Sequence, residues 1–190
     1  MKIFLSGGCK SGKSHYAQRL AQAQKPARQT DPLYYVATMK PVDVEDTQRI
    51  DKHRQERDGW GFATIEQPTD IEKILDKCNH NHSFLLDSLT ALLANEMFPS
   101  NGLVNERADE KIIGGLRQIL DKVNNIVIVS DYIYSDALLY ESLTEKYRKS
   151  LAEVDRAVAL NCDVVLEAAY ANIVVHKGKE LFGGVYEKIP

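Results

Sequence analysis

Cysteine is scarce in this chain of 190 residues: Cys9, Cys78 and Cys162 are the only three. An odd number at wide spacing argues against a disulfide framework and for a reducing compartment. An excess of positive charge is missing as well. Lys and Arg number 24 against 27 Asp and Glu, a formal net charge of -3. No nucleic-acid partner is expected from that balance, and any phosphate chemistry needs a local site. Long apolar runs are absent too. The run from Ile3 to Leu5 is far too short for a signal peptide or a membrane span, so a cytoplasmic protein is expected. Internal repeats and low-complexity tracts are lacking. The length fits a single nucleotide-binding domain, residues 1–190, with a sizeable core.

What is present is alternation. Apolar runs suited to strands fall at Lys2–Ser6, Leu33–Ala37, Ser83–Asp87, Ile126–Ser130 and Asp163–Ala168. Helical spacing separates them. It is clearest over Ala137–Asn161, where Leu143, Tyr147, Leu151, Val154 and Val158 recur three or four apart. Helices are also expected over Ala17–Gln24, Glu45–Asp58, Ile71–Lys77 and Glu106–Val123. Such an order predicts an α/β fold, a mostly parallel sheet with helices on both faces. The last two runs, Val164–Glu167 and Ile173–His176, are separated by Tyr170-Ala171-Asn172 and read as a C-terminal antiparallel hairpin. Gly178–Pro190 reads as a loosely ordered tail.

Gly7-Gly8-Cys9-Lys10-Ser11-Gly12-Lys13-Ser14 fits the phosphate-loop pattern G-x-x-x-x-G-K-[ST]. It follows a strand and precedes a helical segment, as the chemistry requires. Glycines let backbone N–H groups turn toward phosphates, and the helix N-terminus adds its positive dipole. Lys13 is expected to reach the β- and γ-phosphates and the Ser14 hydroxyl to hold Mg²⁺. The thiol of Cys9 is read as a tolerated passenger on a loop whose backbone does the binding. Asp87 closes the run Phe84-Leu85-Leu86 and is the metal-side candidate, since ligands of such sheets sit at the carboxyl ends of strands. Its other reading is the N-cap of a helical segment starting at Leu89.

Arg49, His53 and Arg57 recur at intervals of four and line one helical face. Two guanidiniums beside an imidazole suit a triphosphate chain and favour a neutral, nucleophilic ring. The same pattern is common on solvated helices. Cys78, His80 and His82 lie close together, but their spacing is not that of a zinc site, and a turn before the next strand is expected. Tyr132, Tyr134 and Tyr140 read as core or lid packing, with an aromatic wall for a flat ligand as the other reading.

Together these motifs resemble the adenosylcobinamide kinase/adenosylcobinamide-phosphate guanylyltransferase family of cobalamin assembly. In family order stand the loop Gly7 to Ser14, then Tyr35-Val36-Ala37-Thr38. Arg49-Ile50-x-x-His53-Arg54-x-x-Arg57 follows with Trp60, then Thr64-Ile65-Glu66-x-Pro68, then Leu85-Leu86-Asp87-x-Leu89-Thr90 with Asn95. The resemblance implies a P-loop NTPase-like fold and a His53 that becomes guanylylated. It implies that GTP is held by Gly7, Gly8, Cys9, Lys10, Ser11, Gly12, Lys13 and Ser14, by Ala37, Thr38 and Met39, by Arg54, Gln55, Glu56 and Arg57, and by Glu66 and Asp87. Lys13 and His53 would be catalytic, and Ser14 and Asp87 would hold Mg²⁺. GTP or ATP and a corrinoid would be the substrates of a homotrimer. A nucleotide-binding regulatory relative without turnover, and a P-loop kinase of another small molecule, are the alternatives.

The second half departs from the family. Where the family has Asn-Glu-Val-Gly-x-Gly-x-Val-Pro, this chain reads Ser130-Asp131-Tyr132-Ile133-Tyr134-Ser135-Asp136. The family's Arg-Asp-x-x-Gly-x-x-Asn-Gln is replaced over Arg148–Arg156, where only Arg148 is kept, and Ser88 stands in place of a cysteine. Loss of glycines beside a cleft implies a changed acceptor site, with the nucleotide side retained.

Overall fold

The computed structural model describes residues 1–25, 32–41, 44–170 and 172–186, apart from the side chains of Glu45, Asp46, Arg49, Lys52, His53, Glu56, Val185 and Tyr186. Among the described residues, seven strands form one sheet: β1 (Lys2–Gly7), β2 (Leu33–Ala37), β3 (Phe62–Glu66), β4 (Ser83–Asp87), β5 (Asn125–Asp131), β6 (Val164–Ala169) and β7 (Asn172–Lys177). Their spatial order is β3-β2-β4-β5-β1-β6-β7. The first six run parallel, and β7 returns antiparallel to β6, so the α/β expectation and its hairpin hold.

Alternation along the strands sorts side chains to two faces. Ile3, Leu5, Leu85, Val127 and Val129 pack with Ala17, Leu20 and Ala21 of helix α1 (Lys13–Ala23) and Phe182 of helix α6 (Lys179–Tyr186). Phe4, Phe84, Leu86, Ile126 and Ile128 face the other way. They pack on helices α3 (Leu89–Met97), α4 (Ala108–Lys122) and α5 (Ser142–Asn161), with a 3₁₀ turn at Ile71–Asp76 beside them. Helix α2 (Val44–Glu56) precedes the β3 edge. Among the described residues, no helix is long and apolar enough to cross a membrane.

Several boundaries differ from the sequence reading. The phosphate-loop helix starts at Lys13, four residues before the apolar spacing begins, because the left-handed Gly12 (φ 83°) sets its N-cap. The long helix starts at Ser142 rather than Ala137. The residues before it form a loop, ending at an extended Glu141. The helix expected at Ile71–Lys77 is the tighter 3₁₀ form. Strand β3 was not foreseen, for its burial pattern is that of a half-exposed edge. The tail expected from Gly178 on is helical over Lys179–Tyr186, held by the buried Phe182; residues 187–190 lie outside the described residues. Lys177 on β7 donates to the last carbonyls of the long helix, at Ala159 (3.2 Å), Leu160 (3.0 Å) and Cys162 (2.6 Å). A cation there satisfies orphan carbonyls and complements the helix dipole.

Gly7 ends β1 against β6 with no room for a side chain. A Cβ there meets the carbonyl oxygen of Ala168 at 2.6 Å, a backbone atom that cannot swing aside. Gly7→Ala should therefore destabilise the fold by about 1–3 kcal/mol, the usual cost of overpacking, and displace the phosphate loop. Urea denaturation measures this. An unchanged midpoint would mean that the β1–β6 contact yields freely.

Candidate active site

Parallel register delivers one residue from each strand to a common end of the sheet. Asp131 stands level with Gly7, Asp87 level with Val129 and with Ala37, and Ala37 level with Glu66. The phosphate loop leaves β1 at this end. Gly8, Cys9 and Lys10 are exposed, with Lys10 (φ 58°) and Gly12 in left-handed conformations. Gly12 provides no side-chain cap, so the first N–H groups of α1 are left for a ligand.

Lys13 is turned inward. Its side chain is 9% exposed, and Nζ lies 2.5 Å from Asp131 Oδ1 and 3.0 Å from the carbonyl of Gly8. Asp131 was not singled out as a site residue from the sequence, where its stretch stood out for missing glycines. The signal was available: it closes an apolar run as Asp87 does. Its backbone N–H is held by the Thr90 hydroxyl (2.9 Å), and the Thr90 carbonyl accepts from the Tyr147 hydroxyl (2.8 Å). Ser14 follows in the first turn of α1, half-buried.

Asp87 is half-buried and accepts the Tyr35 hydroxyl at 3.0 Å. It is not the helix cap: Ser88 holds that position, accepting from Ala91 N–H at 3.4 Å. Thr38 is fully buried. Its hydroxyl donates to the Ser88 carbonyl and accepts the Ser88 N–H, both at 2.7 Å, while Asn95 donates to the Thr38 carbonyl at 2.8 Å. The Thr38 side chain thus locks the ends of β2 and β4 together. Ala37 and Met39 flank it, both half-buried.

The basic segment divides. Arg57 lies just past α2, 7% exposed, with its guanidinium 3.6 Å from the centroid of the Tyr35 ring. A chain of contacts thus joins Arg57, Tyr35 and Asp87. Arg54 is exposed and meets Glu66 at 2.8 Å, and Gln55 is exposed. Arg54, Arg57, Asp58, Phe62 and Thr64 line an open hollow at the β3 edge. His53 lies within α2, but its side chain, like those of Arg49 and Glu56, is outside the described residues. The turn expected around Cys78, His80 and His82 is present. Cys78 and His80 bond the carbonyls of Ile74 and Leu75, and His82 stacks on Tyr34.

Behind the site sits Asp155 of α5, 3% exposed, accepting the Tyr134 hydroxyl at 3.0 Å. Burial pushes its carboxyl up to about 7. The neighbouring Asp131 charge adds to this, and the Ser130 and Tyr134 hydroxyls partly offset it.

A family model described as "Cobinamide kinase / cobinamide phosphate guanyltransferase" matches residues 3–172. The chain is 31% identical to the bifunctional adenosylcobalamin biosynthesis protein CobU of Escherichia coli over 54% of its own length and 53% of that protein. It is 26% identical to the bifunctional adenosylcobalamin biosynthesis protein CobP of Pseudomonas aeruginosa, covering 87% of this chain and 91% of that one. Among solved structures, the flagellar accessory protein FlaH of Methanocaldococcus jannaschii aligns over 93% of this chain and 77% of its own, at 16% identity and a TM-score of 0.46. The KaiC-like protein PH0186 of Pyrococcus horikoshii aligns over 93% and 78%, at 12% identity and a TM-score of 0.48.

The state of Asp155 has a measurable consequence. Its folded pKa of about 7 lies above the ordinary carboxylate value of 3.8, so between those values the folded chain holds a proton that the unfolded chain releases. Stability from this group is present at low pH and lost as pH rises toward 7. Relative to Asp155→Asn, the wild type should lose roughly 2–3 kcal/mol of unfolding free energy from about pH 5 to about pH 8. Parallel pH profiles for the two proteins would mean that Asp155 titrates normally.

Proposed function

Because the chain belongs to the cobinamide kinase/cobinamide phosphate guanyltransferase family, we propose that it phosphorylates the aminopropanol hydroxyl of adenosylcobinamide and then transfers a guanylyl group from GTP to the new phosphate. The observation that carries the reading is the buried Lys13 ammonium paired with Asp131 at an uncapped helix N-terminus. That arrangement suits the phosphate end of a nucleotide.

On binding, Lys13 turns from Asp131 to the β- and γ-phosphates, and the loop amides of Gly7 to Ser14 surround them. Ser14 and Asp87 offer a hydroxyl and a carboxylate, all-oxygen donors that fit magnesium. Magnesium is commonly bound through one or two carboxylates together with substrate phosphates, and Ser14 and Asp87 would hold it here. The ion would supply charge neutralisation to the phosphate chain. In the kinase step the acceptor hydroxyl attacks the γ-phosphorus, the nucleoside diphosphate leaves, and Asp131, freed from Lys13, takes the hydroxyl proton. In the transferase step a ring nitrogen of His53 attacks the α-phosphorus of GTP and pyrophosphate leaves. The acceptor phosphate oxygen then attacks the phosphoramidate phosphorus, forming the diphosphate bond and releasing His53. Ala37 to Met39, Arg54 to Arg57 and Glu66 border the GTP. The reading includes ATP or GTP as phosphoryl donor, a homotrimer, a cytoplasmic setting and no nucleic-acid partner.

Incubation with GTP labelled at the α-phosphate should give a covalent adduct that is lost in mild acid and stable in base. The adduct should be absent in His53→Ala. Label that persists in that variant would place the nucleophile elsewhere, and no label in the wild type would remove the transferase reading.

Asp131→Asn separates binding from chemistry. It frees Lys13 from a competing carboxylate, so nucleotide affinity should hold or improve. Kinase turnover should fall on the order of 10²- to 10⁴-fold for loss of a general base. Titration calorimetry and single-turnover kinetics read the two effects. A variant with weaker binding and unchanged turnover would make Asp131 a loop brace only.

A further inference from the structure

The two stretches in which this chain departs from the family pattern, 130–136 and 148–156, are partners of one another. Arg148 of α5 is 7% exposed. Its Nε donates to the carbonyl of Ile133 (3.2 Å), Nη2 to Asp136 (2.8 Å) and Nη1 to Glu145 (2.5 Å). Its guanidinium lies 4.6 Å from the centroid of the Tyr140 ring, and the Tyr140 hydroxyl donates to the other oxygen of Asp136 at 2.8 Å. Two turns further along α5, on the same face, Asp155 accepts from Tyr134. The loop of residues 132–141 is therefore held from beneath at two points, where the family pattern would have flexible glycines.

The loop begins beside the reaction centre, for Asp131 immediately precedes it and touches Lys13. The Tyr132 N–H bonds the Gly7 carbonyl at 2.9 Å, fixing the loop's first residue to the phosphate loop itself. Beyond that anchor the loop exposes large apolar side chains beside the polar Ser135, Asp136 and Glu141. Tyr132, Leu138 and Leu139 are 42%, 64% and 100% exposed, and Leu143 follows in the first turn of α5 at 44%. The Tyr132 ring stands edge-on to Tyr134, 4.9 Å between centroids, so the anchored tyrosine also orients the exposed one.

We propose that Arg148 and Asp155 are positioning residues that hold loop 132–141 as the acceptor-recognition element of the site, Arg148 through Ile133 and Asp136 and Asp155 through Tyr134. The occupant is the molecule that receives the phosphoryl or guanylyl group, an alcohol or phosphate ester on a body with an apolar face. This rests on the functional reading above. It explains how a loop without the family's glycines is given a fixed shape: Asp136, Tyr140 and the Ile133 carbonyl gather on the planar fork of the retained Arg148, and Tyr134 on Asp155.

The test compares Arg148→Met, Arg148→Lys and the more peripheral Asp136→Asn with wild type. The rate of labelling by α-phosphate-labelled GTP reads the nucleotide side. KM and kcat with adenosylcobinamide phosphate read the acceptor side. Amide hydrogen exchange over residues 132–141 reads the loop itself. Arg148→Met should leave labelling within about 2-fold and raise acceptor KM on the order of 10- to 100-fold, the scale of a small misplacement at a reacting centre. Exchange in the loop should rise in parallel. Arg148→Lys should recover part of the loss, and Asp136→Asn should shift KM in the same direction by less. Equal loss of labelling and transfer, or unchanged KM with unchanged exchange, overturns the proposal. If Arg148→Met fails to fold, Asp136→Asn decides on the same readings. If the wild type neither labels nor transfers, the functional reading fails separately. Loop exchange in Asp136→Asn and Arg148→Lys still decides the clamp, and unaltered protection would overturn it.

Discussion

A buried ammonium must have a counter-charge, and the active end of this molecule is organised around that demand. Lys13 is removed from water by the loop that carries it, and removing one partner of such a pair leaves an uncompensated charge costing several kcal/mol. Asp131 meets the need because the β1–β5 register sets it level with Gly7. Its position is then fixed from the helical layer, by Thr90 and, behind Thr90, by Tyr147. The pair gives this end of the sheet a defined form, and on the function proposed above a triphosphate would replace one anion with another rather than order a loose loop. Such an exchange would keep the reorganisation small, which is the condition for electrostatic stabilisation to act on reacting atoms.

The same economy of partners runs through the rest of the site. Asp87 is held by Tyr35, and Tyr35 lies beneath Arg57, so the carboxylate and the end of the basic helix share one support. On the far side, α5 supports the loop that follows Asp131. Tyr35 and Arg57 on the β2–β3 side and α5 behind β5 are thus separate supports that meet at the ends of β4 and β5. One side can diverge in sequence while the other is retained, which is the pattern this chain displays.

Much of this was legible in the sequence, for physical reasons. The phosphate loop is a local motif whose strand, turn and helix lie within a few residues, and its left-handed Gly12 is where such a turn needs glycine. Strands β1, β4 and β5 are buried on both faces, so they read as continuous apolar runs. Strand β3 did not read so, because an edge strand half in water carries no comparable run. Helix α6 was hidden because one side chain, Phe182, anchors it. Asp131 shows a different limit. Its partner Lys13 is more than a hundred residues away, and only the order of the strands brings the two together. Arg148 is recognisable as the one survivor of a lost pattern, but its contacts to Ile133, Asp136 and Tyr140 depend on the conformation of a loop, which periodicity does not give.

The position of β1 also sets an order of events during synthesis. It precedes the other strands of the sheet in sequence, yet it lies between β5 and β6, and its edges are closed by residues 126–131 and 164–168. The Met1 amino group bonds Asn124 and Asn125, and the Lys2 N–H bonds Asp163. A nascent chain therefore carries residues 7–14 well before β5 and β6 supply the frame that gives them shape. Such long-range closure slows folding and leaves an apolar strand unpaired while elongation proceeds. Until both flanking strands exist, the edges of β1 stay open to pairing with a neighbouring chain.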